Sequence, residues 1–274
     1  MLIGLIIALS ALSAVGAFAA SGWESWYLLP VTFVGSFLFF ALLAFLVLWI
    51  SCLVVDLEKP QKKDSKYYRF LCTWYAPAAL TIVGARVHKS GLEKVPEDGR
   101  FLLVCNHLDI LDPVLLLSVL PKAQLAFISK KENRDMFIVG KLMHKITCQM
   151  IDRENDRKAL ETILTCVRLI KEDQVSVAVF PEGYTSLDGL LHPFRSGVFK
   201  IAQRANVPVV VCALQNTQYA LKNALKLKPT HIHFHVLDVI PAEKAAQMTA
   251  TELGDLAHSM MAADLGEDKV LKTD

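Results

Sequence analysis

His107 and Asp112 stand five positions apart in Asn106-His107-Leu108-Asp109-Ile110-Leu111-Asp112-Pro113, directly after the apolar run at 101–105. An imidazole can take a proton from a hydroxyl near neutral pH, and a carboxylate held against its other ring nitrogen fixes the tautomer and stabilises the imidazolium that forms. That pair is half of an acyl-transfer site. A second block, Phe180-Pro181-Glu182-Gly183-Tyr184-Thr185-Ser186, closes another apolar run about seventy residues later, and its glycine lets backbone N–H groups approach an anion closely. Asp112 also reads as a helix N-cap with Pro113 at the first helical position. The two roles are compatible provided a loop lies between the residues, because five positions on one continuous helix would set them about 140° apart. Asp109 is a rival partner for the histidine. Cys105, at the end of Leu102-Leu103-Val104-Cys105, reads as a buried strand residue rather than a nucleophile.

These residues need a scaffold that ends strands next to one another. From residue 81 onward short apolar runs alternate with segments of helical period. The pattern predicts strands near 82–88, 101–105, 125–129, 148–151, 175–180, 207–213 and 231–239, and helices near 113–120, 136–145, 156–171, 197–205 and 249–263. Strands alternating with helices give an α/β domain with a mixed, largely parallel sheet flanked by helices, whose reactive groups gather beyond the strand ends. His231, His233 and His235 fall on one face of the last strand; without a nearby carboxylate or cysteine they read as solvent-facing side chains rather than a metal site.

The 274 residues are 53% apolar and the mean hydropathy is +0.38, above an ordinary soluble domain. Residues 1–20 and 28–55 carry no charged side chain, and each run is long enough to cross a hydrocarbon core of about 30 Å. Trp23, Trp26 and Tyr27 lie between them as an aromatic belt would. Ala17-Phe18-Ala19 looks like a signal cleavage site, but no lysine or arginine precedes the first run. Lys59, Lys62, Lys63, Lys66 and Arg69 crowd the far side of the second run and put the following domain in the cytoplasm by the positive-inside rule. The expected organisation is a transmembrane helical hairpin at 1–56, a polar linker and interfacial aromatic helix at 57–80, and a catalytic domain at 81–274. A net charge of +2 gives no case for nucleic acid, and six scattered cysteines without a C-x-x-C pair are expected reduced.

Together the blocks resemble the glycerolipid acyltransferase family, specifically the 1-acylglycerol-3-phosphate acyltransferases, over residues 81–240. The H-x-x-x-x-D block is intact; Cys148-Gln149-Met150-Ile151-Asp152-Arg153 is similar to a second block, the Pro-Glu-Gly segment to a third, and Val207-Pro208-Val209-Val210-Val211 to a fourth. The family commonly reads Glu-Gly-Thr followed by arginine or lysine, where this chain has Tyr184 and Thr185. The resemblance implies His107 and Asp112 as catalytic residues, and substrate contacts from Glu182, Gly183, Thr185 and Ser186. It also implies a basic position at Lys130. Arg153, and Arg195 just before a helix expected to open at Gly197, are the candidates for the phosphate charge that Thr185 cannot supply.

The expected activity is transfer of an acyl chain from acyl-coenzyme A or acyl carrier protein to the free hydroxyl of 1-acylglycerol-3-phosphate, giving phosphatidic acid at the cytoplasmic membrane. Lysophosphatidic acid, the thioester and membrane phospholipids are the expected partners. No metal or resident cofactor is implied, since a thioester is already activated. Alternatives keep the chemistry on glycerol-3-phosphate, another lysophospholipid or a lipoamino acid, or else make the chain a metal-dependent membrane hydrolase or a non-catalytic lipid-binding adaptor.

Overall fold

The computed structural model describes residues 1–271 except Arg153, Glu154 and Leu187, and the chain divides into two compact units, Met1–Lys59 and Pro60–Asp274. In the first unit α1 (Leu2–Ser21) and α2 (Leu28–Leu53) pack on each other. Both are long and apolar enough to cross a membrane. They are apolar around their whole circumference, which is the pattern of a helix meant for lipid and not for one side of a core. Their few hydroxyls turn inward on the backbone: Ser10 Oγ donates to the Ile6 carbonyl at 2.7 Å and Ser36 Oγ to that of Thr32 at 2.6 Å. No polar group on those residues then has to be satisfied by hydrocarbon.

The second unit begins with α3 (Lys66–Ile82). Its buried face carries Tyr68, Leu71, Cys72, Ala76 and Leu80, while Tyr67, Phe70 and Ile82 are exposed. Buried Arg69 ties the helix down, pairing with Asp64 at 2.6 Å and donating to the Leu125 carbonyl at 2.6 Å. The aromatic segment is thus built against the domain on one side and bare on the other. The helix runs through Pro77, so the strand expected from residue 82 starts only at Ala85, after a turn in which Gly84 takes φ 68°.

Seven strands form one sheet in the order β1-β7-β6-β2-β5-β3-β4. They are β1 (Ala85–Ser90), β2 (Leu102–Cys105), β3 (Leu125–Lys130), β4 (Gln149–Ile151), β5 (Ser176–Val179), β6 (Val209–Gln215) and β7 (Thr230–Ile240). Every pairing is parallel except β6 with β7. Strands β2 and β5 are buried along their length, which is why they read as continuous apolar runs. Strand β7 alternates buried and solvent-facing residues because only one of its faces meets the core.

Helices α4 (Asp112–Val119), α5 (Phe137–Lys145), α6 (Asp156–Lys171) and α10 (Ala250–Leu265) lie close to their expected bounds. The helix expected at 197–205 opens as a 3-10 turn, Ser196–Phe199, and only then becomes α7 (Lys200–Ala205). Two short helices, α8 (Ala220–Ala224) and α9 (Ala242–Gln247), fall in segments too brief for a periodic signal. Parallel β2, β5 and β3 end at the same edge of the sheet, and the blocks around His107, Glu182 and Lys130 follow those three ends.

Candidate active site

Beyond β2 the backbone leaves the sheet, and Asn106 takes over the ladder with its side chain. Its Nδ2 donates to the Leu214 carbonyl at 2.9 Å and its Oδ1 accepts from the Leu214 N–H at 2.7 Å. The loop so anchored presents His107. Its Nδ1 lies 2.8 Å from Asp112 Oδ2, its ring stacks on Phe180 with centroids 4.2 Å apart, and Nε2 lies 3.1 Å from Thr185 Oγ1. A carboxylate only accepts, so Nδ1 carries the proton and Nε2 offers its lone pair to a hydroxyl. That is the orientation a general base requires.

Asp112 is fully buried. The cap expected of it is not what forms: Leu111 is the cap, Asp112 is the first residue of α4, and its carboxylate points back instead of forward. Oδ2 accepts from the Leu108 and Asp109 N–H groups at 2.7 and 2.8 Å as well as facing His107, and Oδ1 has no partner among the described residues. One oxygen therefore closes the loop on itself and orients the imidazole. Asp109 spends its carboxylate on the Leu111 N–H at 3.0 Å, and burial raises its pKa. Cys105 is enclosed in the sheet, where burial pushes its thiol well above the usual range, as a core residue and not as a nucleophile.

Beyond β5, the side chain of Glu182 is buried. Oε1 accepts the His107 N–H at 2.8 Å and Oε2 the His192 N–H at 3.2 Å, so one carboxyl group ties the histidine loop to the chain that follows β5. The Ser186 N–H donates to the His107 carbonyl at 2.8 Å, a second tie between the blocks. Ser186 itself is buried, its hydroxyl donating to Asp188 and to the Leu190 carbonyl.

Burial raises the Glu182 pKa to about 8, against the opposing pull of its two N–H donors. Since the value for an unfolded glutamate is near 4.5, the native state binds this proton more tightly. The resulting stability is fully present below about pH 4.5 and is lost as the pH rises through about 8. Thermal unfolding of the parent and of Glu182→Gln, which keeps the shape and cannot ionise, should therefore diverge across this window, the parent losing ground at the alkaline end. A difference that stays constant with pH would contradict it.

His107, Phe180, Gly183, Tyr184 and Thr185 face a cavity of about 460 Å³ whose remaining wall is largely apolar, with Leu111, Val114, Leu117, Phe127, Met143 and Ile146 among its residues. Lys130 lines it too, from the end of β3. Glu182, Ser186 and Arg195 do not; Arg195 is exposed, and its backbone N–H donates to the Pro181 carbonyl at 2.8 Å. Arg153 lies outside the described residues. The 3-10 opening at Ser196 leaves α7 only six residues long, so the helix N-terminus expected near Gly197 offers little to an anion.

Residues 86–215, which contain both blocks, match the acyltransferase family model. Over that stretch the chain is similar to the acyltransferase family. The 1-acyl-sn-glycerol-3-phosphate acyltransferase of Cocos nucifera is 29% identical over 171 residues, 62% of this chain and 55% of the relative. The chloroplastic 1-acyl-sn-glycerol-3-phosphate acyltransferase BAT2 of Brassica napus is 36% identical over 153 residues, 56% of this chain and 43% of the relative. The chain thus spans about half the length of these curated relatives. Its fold is that of the crystal structure of the 1-acyl-sn-glycerophosphate acyltransferase of Thermotoga maritima, with a TM-score of 0.62, 21% identity, and 83% of this chain and 89% of that one covered.

Away from the candidate active site, the three histidines of β7 have company that the sequence pattern missed. His88 on β1 stacks between His231 and His233 at 5.1 and 5.0 Å and is hydrogen-bonded to His231 at 2.8 Å, while His235 pairs with Asp264 of α10 at 3.1 Å. Burial and the neighbouring imidazoles lower the His233 pKa.

Proposed function

We propose that the chain transfers an acyl group from a thioester to the free hydroxyl of 1-acylglycerol-3-phosphate, making phosphatidic acid. The observation that carries the reading is His107, oriented through Nδ1 by a buried carboxylate, with Nε2 already hydrogen-bonded to a hydroxyl at the wall of an apolar cavity. An acceptor hydroxyl in the place of Thr185 Oγ1 would pass its proton to Nε2 as its oxygen attacks the thioester carbonyl, and the imidazolium would return the proton to the departing thiolate. Asp112 stabilises the intervening cation. The apolar wall receives an acyl chain, and Lys130 supplies a cation at the same cavity. Acyl-coenzyme A or acyl carrier protein serves as donor, and no metal takes part. Thiol release from an acyl thioester should then require a lyso-acceptor and survive a strong chelator; release abolished by the chelator would favour the hydrolase alternative.

The two apolar helices hold the domain at the membrane, and the lysine cluster beginning at Lys59 sets the domain on its cytoplasmic side. Single cysteines placed at Ser21 and Ser65, in a background without native thiols, should report this with an impermeant reagent in intact cells. Labelling at 21 and not at 65 is the expected result; the reverse pattern would overturn the orientation.

A further inference from the structure

Tyr184 and Thr185 stand side by side on the cavity wall, and each hydroxyl is hydrogen-bonded to a different histidine. Thr185 meets His107. Tyr184 OH lies 2.9 Å from His192 Nδ1, and His192 Nε2 lies 3.0 Å from both oxygens of Asp188. The Asp188 carboxyl also accepts from the Leu190 N–H and the Ser186 hydroxyl, bonds that together with His192 hold its pKa down at about 2. It remains an anion across the working range. The His192 backbone N–H donates to Glu182, the group that also accepts from the His107 N–H, so one carboxyl group anchors both histidines.

We propose that Tyr184 is the group that meets the charged head of the acceptor, and that His192, held by Asp188, sets which way the Tyr184 hydroxyl points. Because Asp188 can only accept, Nε2 carries a proton in both states of the ring. With a neutral ring, Nδ1 has a lone pair, Tyr184 donates to it, and only phenol lone pairs face the cavity. When the ring is protonated, Nδ1–H donates to the phenol oxygen instead. The phenol proton is then released toward the cavity with a positive charge behind it. The pair would offer a phosphate the donor and charge that arginine offers directly, but only while His192 is protonated. Among the described residues, the other titratable groups facing this histidine are Glu182, which accepts its N–H, and His258 of α10, which is hydrogen-bonded to its backbone and whose pKa burial lowers. Tyr184 touches substrate in this scheme, and His192 and Asp188 are positioning residues acting through it.

The inference rests on the phosphorylated acceptor proposed above. Its test is the KM for 1-acylglycerol-3-phosphate, at saturating acyl-coenzyme A, for the parent, Tyr184→Phe and His192→Gln from about pH 5.5 to about pH 8.5. The phosphate itself gains charge near pH 6, so each variant is compared with the parent at the same pH. The parent KM should be about tenfold lower than that of either variant at the acid end, the size expected for one charge-assisted hydrogen bond. The advantage should shrink to about twofold or less at the alkaline end, with kcat changing little in the variants. Asp188→Asn, which removes the carboxylate that holds His192 Nε2, should blunt the advantage at the acid end, and it serves as the readout should His192→Gln not fold. A parent advantage that does not vary with pH, or none at all, overturns this proposal and leaves acyl transfer intact. A parent that turns over only unphosphorylated lyso-acceptors overturns the acceptor reading and this proposal with it.

Discussion

Replacing His107 by alanine should lower turnover by about 10²–10⁴ or more, the range for losing general acid–base assistance. Alanine gives up the ring's stacking on Phe180 and its bond to Asp112 but keeps the backbone, whose N–H donates to Glu182 and whose carbonyl accepts from Ser186. Circular dichroism of His107→Ala should therefore still match that of the parent, with at most a modest fall in thermal stability, while the rate collapses. Turnover within about threefold of the parent, far inside that range, would remove His107 from the mechanism.

Asp112→Asn should come second in size. An asparagine oxygen can still accept the Leu108 and Asp109 N–H groups, so the loop keeps its closure, but it brings no charge to stabilise an imidazolium. A loss of about 10²-fold or more in kcat is expected on these grounds. Stability should fall only modestly, by about 1–3 kcal/mol if the new amide N–H₂ is left without an acceptor where Oδ1 now has no partner. The reverse outcome, a marked loss of stability with unchanged activity per folded molecule, would make Asp112 a purely structural residue. Asp109→Asn should be milder, since that carboxylate serves only the Leu111 N–H among its described bonds.

How much of this could be read from the chain depends on the range of the interaction that carries it. The strands around β2 and β5 were legible because a central parallel strand must be apolar on both faces, and the blocks at 106–113 and 180–186 were legible because each directly follows such a run. The direction of a side chain at a strand end was not. Asp112-Pro113 is as good a helix start as it is a catalytic carboxylate, and only the folded loop shows the oxygen turned back toward His107. Glu182 follows a strand as an ordinary turn residue would, yet it is buried because two loops converge on it from opposite sides in sequence. His192 and His88 carry no local signature at all. The first is brought to Tyr184 by a loop, the second to His231 across a strand pairing of residues 143 positions apart. Arg195, chosen for its place before a helix, turned out exposed and off the cavity wall, whereas Lys130 reached that wall simply because β3 runs parallel beside β5 and ends there.

Purified full-length protein in lipid, given a labelled acyl thioester and a panel of phosphorylated and unphosphorylated lyso-acceptors with products read by mass, tests the central claim most directly. Phosphatidic acid from 1-acylglycerol-3-phosphate should be the main product of the parent and fall by about 10²–10⁴ with His107→Ala. No acylated product from any acceptor, or an equal yield from His107→Ala, would contradict it.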